Sequence, residues 1–317
     1  MKEYIDKFIR YLEIEKAVSA HTLRAYRKDL EKFFEYVNPV RKGGPQEVEL
    51  SNRVKTEPDK VDMLDMRGFI AEQIKSGLNK TTVSRRLASI RSFFKFLYRE
   101  GYIRSNPPKL VSNLKVPKLL PRFLSIDDVF SLVEGPQGIG FIPSRDRAVL
   151  ELLYSSGLRV SELSGLNLDD INIKEALVKI RGKGRKERIV PVGSKAIDAI
   201  KSYTLERMLL KSKDGALFLN RMGTRLTDRG VRRIVVKYAR ASAISGQIGP
   251  HTLRHTFASH LLQDGADLRV IQELLGHSSL STTQKYTHLD VVHLMDVYDK
   301  AHPFARESEN FKVKSSK

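Results

Sequence analysis

The stretch Gly249-Pro250-His251-Thr252-Leu253-Arg254-His255-Thr256-Phe257-Ala258 decides how most of this 317-residue chain reads. Proline is at home in the first turn of a helix, so Gly249-Pro250 marks a helix start. On that helix His251, Arg254 and His255 stand at i, i+3 and i+4 and share one face. Histidines at i and i+4 also have the spacing of a zinc pair. The glutamate of a His-Glu-x-x-His motif is absent, however, because position 252 is threonine, and an arginine between the ligands would repel a cation. No metal is therefore expected. What is left is a helix face that offers two proton carriers and a guanidinium.

Four more segments around it carry polar groups of the same kind. Downstream, Leu274-Leu275-Gly276-His277 places a histidine just past a glycine that ends a helix. Nine residues later Thr282-Thr283-Gln284-Lys285-Tyr286-Thr287-His288 puts Tyr286 on a short helix. Upstream, Ser156-Gly157-Leu158-Arg159-Val160-Ser161-Glu162-Leu163 sets an arginine and a glutamate three apart among apolar neighbours, where a buried guanidinium needs a partner. Lys183 occupies the tip of a hairpin, in Gly182-Lys183-Gly184-Arg185-Lys186. Taken singly, these are a salt bridge, a solvated turn, a helix-capping histidine and a packing tyrosine. Taken together they form an anion-directed set with one nucleophile.

Periodicity supplies the frame. Tyr4, Phe8, Tyr11 and Leu12 form one stripe over 3–15, and Leu23, Tyr26, Leu30, Phe33, Phe34 and Val37 another over 20–37. A helix near 62–76 shows Phe69, Ile70 and Ile74, and one near 80–100 shows Val83, Leu87, Ile90, Phe94 and Leu97 before Gly101. The other face of this fourth helix bears Lys80, Thr81, Ser84, Arg85 and Arg91, suited to phosphate contacts or simply a solvated face. Pro107, Pro108, Pro117 and Pro121 then break all period, as a linker does. Beyond it, Ser125 and Asp128 suggest a capping box, an apolar helix spans 145–156, and β-rich runs at 176–181 and 187–192 flank the hairpin tip. Helices are expected near 194–211, 227–241, 251–263, 267–275 and 280–287.

Charge nominates nucleic acid as the partner but does not choose the activity, and a ribosome-associated or merely basic soluble protein would carry a similar excess. Lysine and arginine total 56 against 37 acidic residues, a formal net of +19, and the excess is not confined to a tail. Residues 1–110 hold 23 basic and 15 acidic side chains, so both halves of the chain are basic, as in a clamp with two positive faces for a polyanionic duplex. Cysteine is absent, which rules out disulfides and thiolate catalysis and fits a cytoplasmic home. No run approaches the roughly 18 apolar residues of a membrane span, so membrane insertion is not expected.

With these segments in order, the chain resembles the tyrosine recombinase (phage integrase) family, in particular its Xer branch, over nearly its whole length. The stretch Ser19-Ala20-His21-Thr22-Leu23-Arg24-Ala25-Tyr26, followed by Asp29-Leu30, is similar to the start of Xer core-binding domains. The resemblance implies a mainly α fold with a small β-sheet, arranged as a two-domain, C-shaped clamp. A four-helix, SAM-like core-binding domain would span 1–106, a linker 107–121, an α+β catalytic domain 122–303 and a polar tail 304–317. It implies that Arg159, Lys183, His251, Arg254 and His277 assist Tyr286 as the nucleophile, without metal or nucleotide cofactor. Thr22, Arg24, Lys80, Ser84 and Arg85 are the expected DNA contacts.

The same resemblance implies a tetramer on two DNA duplexes, a second Xer recombinase as a possible partner, and a DNA translocase of the FtsK type as an associate. A C-terminal segment, roughly 290–306, would dock on the next protomer through Val291, Val292, Leu294, Met295 and Val297. Two features depart from the branch: a longer polar insert at 38–61 and an extended tail beyond His302-Pro303. Related chemistries stay open as alternatives, a phage- or transposon-type integrase or a type IB topoisomerase-like enzyme. So does a non-catalytic, architectural DNA-binding protein.

Overall fold

The computed structural model describes residues 1–16, 18–38, 57–111, 114, 123–182, 187–210, 212, 214–276 and 288–305, with the backbone alone at 109–110 and 288–291. The chain divides into two compact units, Met1–Leu119 and Leu120–Lys317.

In the first unit, α1 (Lys2–Ile14), α2 (Ala20–Val37), α3 (Met63–Lys75) and α4 (Lys80–Arg99) enclose an aromatic core. Phe8 meets Phe93 edge-on at 5.4 Å, and Phe33 meets Phe69 at 5.2 Å, geometry that aligns ring edges with ring faces. The buried stripe of α1 is Ile5, Phe8, Ile9 and Leu12, so Tyr4 and Tyr11 lie at its margin rather than on its axis. On α3, Ile74 is turned out to solvent while Gln73 is buried. The reason is polar: Arg86 of α4 reaches across and donates to the Gln73 side-chain carbonyl. Caps fix the helix starts, with Ser19 Oγ accepting from the Thr22 amide and Asp62 and Asp65 forming a reciprocal capping box.

The second unit is built on α6 (Phe141–Ser156), whose residues from Ala148 to Ser156 are all buried. A helix buried on every side lies at the centre of its domain. Around it lie α5 (Ile126–Glu134), α7 (Val160–Gly165), α8 (Ser194–Leu209), α9 (Asp228–Ala241), α10 (Pro250–Gln263), α11 (Leu268–Leu275) and α12 (His288–Ala301). Ser125 and Asp128 cap α5 reciprocally, as their spacing implies. One antiparallel sheet in the order β1 (Ile171–Asn172), β2 (Leu177–Arg181), β3 (Glu187–Pro191) covers an edge. Its hairpin pairs Ile180 with Arg188 and Arg181 with Glu187.

Gly157 ends α6 in the left-handed conformation, φ +58°, and a Cβ there would lie 2.4 Å from the Phe257 ring of α10. Only glycine meets both demands, and it sets the path into Leu158-Arg159. The C-terminal helix, expected to dock on another protomer, packs within the single chain on its own unit. Leu294, Tyr298, Ala301 and Phe304 are buried in the core of their own unit, and α12 packs on β3, α10 and α11. Leu294, Tyr298 and Ala301 fall at i, i+4 and i+7, a stripe that the unit itself covers; Val292, off that stripe, is half exposed.

Candidate active site

The site is organised by a buried carboxylate. Glu162, on the first turn of α7, accepts from the Arg159 amide at 2.8 Å and from Arg159 Nη1 at 2.9 Å. Arg188 of β3 forks onto the same group, Nη1 to Oε1 and Nη2 to Oε2, both at 2.9 Å. Arg254 of α10 comes within 3.8 Å of it. Burial alone would raise the Glu162 pKa, but the hydrogen bonds and charge of Arg188, with those of Arg159, hold it down at about 2.

The same three guanidiniums grip the end of α11. Arg188 Nε donates to the carbonyl of Leu274 at 3.1 Å, Arg254 Nη2 to that of Leu275 at 2.6 Å, and Arg159 Nη2 to that of Gly276 at 3.3 Å. Carbonyls at a helix C-terminus lack helical partners and carry partial negative charge, which cations satisfy. Arg254 Nη1 also donates to the Gly157 carbonyl at 2.7 Å. The arginines differ in exposure: the side chains of Arg188 and Arg254 are 8% and 10% exposed, that of Arg159 40%. Arg159 is thus the one of the three that opens to solvent.

His251 stands on the exposed side of α10 with His255, while Arg254 turns inward from the edge of that face. Desolvation, the charge of Arg232, and then Arg254, His255 and Arg159 lower the His251 pKa, so its ring is neutral at neutral pH. Burial, then the charge of Arg159, brings Arg254 down to about 10, still protonated. Lys183, His277 and Tyr286, and the helix expected at 280–287, lie outside the described residues. Their neighbours are in view: the strands that bracket Lys183, and Gly276 immediately before His277.

Two features escaped the sequence reading. Arg188 looks like one more basic residue of the hairpin, yet β3 alternates and places it on the inward face with Val190; a charged residue at a core position was the available signal. On α9, Arg229, Arg232, Arg233, Lys237 and Arg240 are exposed and line one shallow depression. Their helical spacing was legible but unremarked. Arg232 links this basic row to His251.

In the first unit Arg24 and Lys80 are exposed and Thr22 and Ser84 half-buried. Thr22 Oγ1 lies 2.9 Å from Ser19 Oγ in the α2 cap. Arg85 forks onto Asp29, which is buried and also accepts from Ser89 at 2.9 Å. Arg91 donates to the Pro108 carbonyl at 3.2 Å. Among the described residues no group of side chains is arranged to hold a metal ion, and no helix is long and apolar enough to cross a membrane.

One carboxylate thus orders a cluster of arginines close to a histidine whose pKa they help to lower. The chain belongs to the phage integrase family, whose profile matches residues 122–293. The N-terminal SAM-like domain of phage integrases matches residues 5–101. Within the family the similarity is to XerC. The chain is 54% identical over 312 residues to the tyrosine recombinase XerC of Thermodesulfovibrio yellowstonii, covering 96% of this chain and 98% of the relative. It is 46% identical to XerC of Pelobacter propionicus over 98% of each chain. The protein is accordingly a site-specific tyrosine recombinase, a DNA strand-exchange enzyme. Solved structures share the fold. XerH bound to palindromic difH substrate has a TM-score of 0.68 at 23% identity, covering 93% of this chain and 83% of that one. A lambda integrase dimer bound to a COC′ core site has 0.67 at 16%, covering 90% and 99%.

Proposed function

We propose that Tyr286 attacks a DNA phosphodiester and forms a 3′-phosphotyrosyl link, releasing a 5′-hydroxyl. The observation that carries this reading is the cluster in which Glu162 orders Arg159 and Arg254 at the helix end that precedes His277. Attack builds negative charge on the non-bridging oxygens. Arg159, open to solvent, and Arg254, each of whose terminal nitrogens has a second N–H, donate to that charge. A tyrosine phenol has a pKa near 10 and needs a proton acceptor. Neutral His251 takes that role, His277 adds a hydrogen bond to the phosphate, and Lys183 at the hairpin tip protonates the departing 5′ oxygen. The bond energy stays in the phosphotyrosyl link, so religation consumes no ATP, and guanidiniums supply the charge neutralisation that metal ions give other phosphoryl-transfer enzymes.

Thr22, Arg24, Lys80, Ser84 and Arg85 of the first unit contact DNA, joined by the basic row of α9. The functional units are a core-binding domain at 1–106, a linker at 107–121, a catalytic domain at 122–303 and a tail. Solved relatives act as a dimer on a core site and as a tetramer on a Holliday junction; this chain works likewise as a tetramer on two duplexes, alone or with a second Xer recombinase. Its likeness to XerC supports a dif-like target, resolution of chromosome or plasmid dimers in the cytoplasm, and cooperation with a DNA translocase of the FtsK type.

The test is covalent capture on a nicked duplex carrying the target site. Wild-type protein forms an adduct stable to denaturation, in EDTA as in magnesium, whereas Tyr286→Phe binds the duplex and forms none. An adduct with Tyr286→Phe overturns the assignment.

A further inference from the structure

We infer that Arg188 is a positioning residue of this site, holding Arg159 and Arg254 free to face a phosphate; the inference rests on the reading of the site just given. Three observations carry it. First, Arg188 is buried on the inward face of β3, where a strand places apolar side chains, and its fork saturates Glu162 by adding one donor to each carboxylate oxygen. Second, its remaining edge donates to the Leu274 carbonyl, so one planar group ties β3 to α7 and to the end of α11. Third, Gly276 leaves room for it: a Cβ at that position would lie 3.0 Å from Arg188 Nη1, and its φ of +65° is itself glycine's territory.

Charge competition gives these contacts their role. Glu162 is a buried anion with three guanidiniums within reach. Without Arg188 its unsatisfied lone pairs draw in Arg254, now 3.8 Å away, and further donors of Arg159, which already gives it one at 2.9 Å. Both would then spend on Glu162 the donors that a scissile phosphate needs. Arg188 touches no substrate in this scheme; it acts through Glu162. The hairpin whose strands bracket Lys183 is anchored by the same residue, since Arg188 is the second residue of β3 and pairs with Ile180 of β2.

The test compares Arg188→Met and Arg188→Lys with wild-type protein in single-turnover cleavage of the nicked duplex. Two substrates are used, one with the natural scissile phosphate and one with a neutral methylphosphonate there. Misplacing a catalytic group by about an ångström costs on the order of 100-fold, so Arg188→Met cleaves the natural substrate about 100-fold slower than wild type, with duplex affinity changed only a few-fold. Arg188→Lys keeps the charge but cannot fork, and it recovers part of the rate. On the methylphosphonate, which presents one negative charge fewer for Arg159 and Arg254 to neutralise, the deficit of both variants shrinks to a few-fold. A deficit equal on the two substrates makes Arg188 merely structural and overturns the proposal, as does wild-type cleavage by both variants. Should Arg188→Met fail to fold, Arg188→Lys answers the same question. Wild-type protein and Tyr286→Phe are run alongside. No adduct from the first, or an adduct from the second, sinks the underlying reading rather than the role of Arg188.

Discussion

The hydroxyl of Tyr298 lies 2.7 Å from that of Ser155, joining the C-terminal helix α12 to the central helix α6. Ser155 Oγ also accepts from the Gly193 amide at 2.7 Å, so one serine fixes α12 and the start of α8 together. Tyr298 is fully buried and stacks on His302, rings 4.7 Å apart.

Removing the hydroxyl and removing the ring separate two effects. Tyr298→Phe loses a neutral hydrogen bond and lowers unfolding stability by about 1 kcal/mol. Tyr298→Ala opens a cavity in a packed core and costs about 3–5 kcal/mol. Urea denaturation of both variants checks the order, and equal losses would show that the hydrogen bond, not the packing, seats α12.

Two buried glutamates give the stability opposite slopes with pH. Glu151 is almost wholly buried with Oε2 unpartnered, and burial raises its pKa from 4.5 to about 7. A raised carboxylate pKa contributes stability below the unfolded value and loses it as pH rises through the folded one. Wild-type stability should therefore fall by about 3 kcal/mol between pH 5 and pH 8 on this account. Glu151→Gln is expected to remove that fall, matching wild type near pH 4.5 and exceeding it at pH 8. Glu162 runs the other way: its contribution is present above about pH 4.5 and is lost only as pH drops toward about 2. Glu162→Gln leaves buried guanidiniums unpaired and costs about 3–5 kcal/mol at pH 7. Denaturation curves at about pH 2.5, 4.5, 6 and 8 decide both cases.

Lys80 and Arg85 share a face of α4 but not a role. Lys80 is exposed, and Lys80→Ala should reduce the slope of log affinity for duplex against log salt by about 1, with unchanged stability. Arg85→Ala strips buried Asp29 of its forked partner, so it lowers stability as well as DNA affinity. A salt titration with a melting curve on each variant distinguishes them.

These contrasts mark where the sequence was legible. Helix α10 announces itself through Pro250 and the spacing of His251, Arg254 and His255, and periodicity alone finds α2, α4 and the β2–β3 hairpin. Strand β1 has two residues, too few to show a period. The buried Gln73 and exposed Ile74 of α3 invert a pattern because Arg86, distant in sequence, supplies a partner. Arg188 was hidden by its neighbours: amid Lys183, Arg185 and Lys186 it reads as charge for solvent. Its burial depends on Glu162, 26 residues away. The packing of Leu294, Tyr298 and Ala301 on their own unit was equally illegible, since an apolar stripe tells that a face is covered but not by what.

The grip of the arginines on the end of α11 has a consequence for the life of the chain. Arg159 reaches Gly276 across 117 positions, Arg188 reaches Leu274 across 86, and Arg254 turns back to Gly157 across 97. Contacts this distant in sequence carry a loop-closure cost that local contacts do not. A chain ending before residue 274 keeps the contacts of Arg159 and Arg188 with Glu162 but lacks the carbonyls of 274–276 that all three arginines grip. The arginine cluster is therefore complete only in a chain that extends through Gly276.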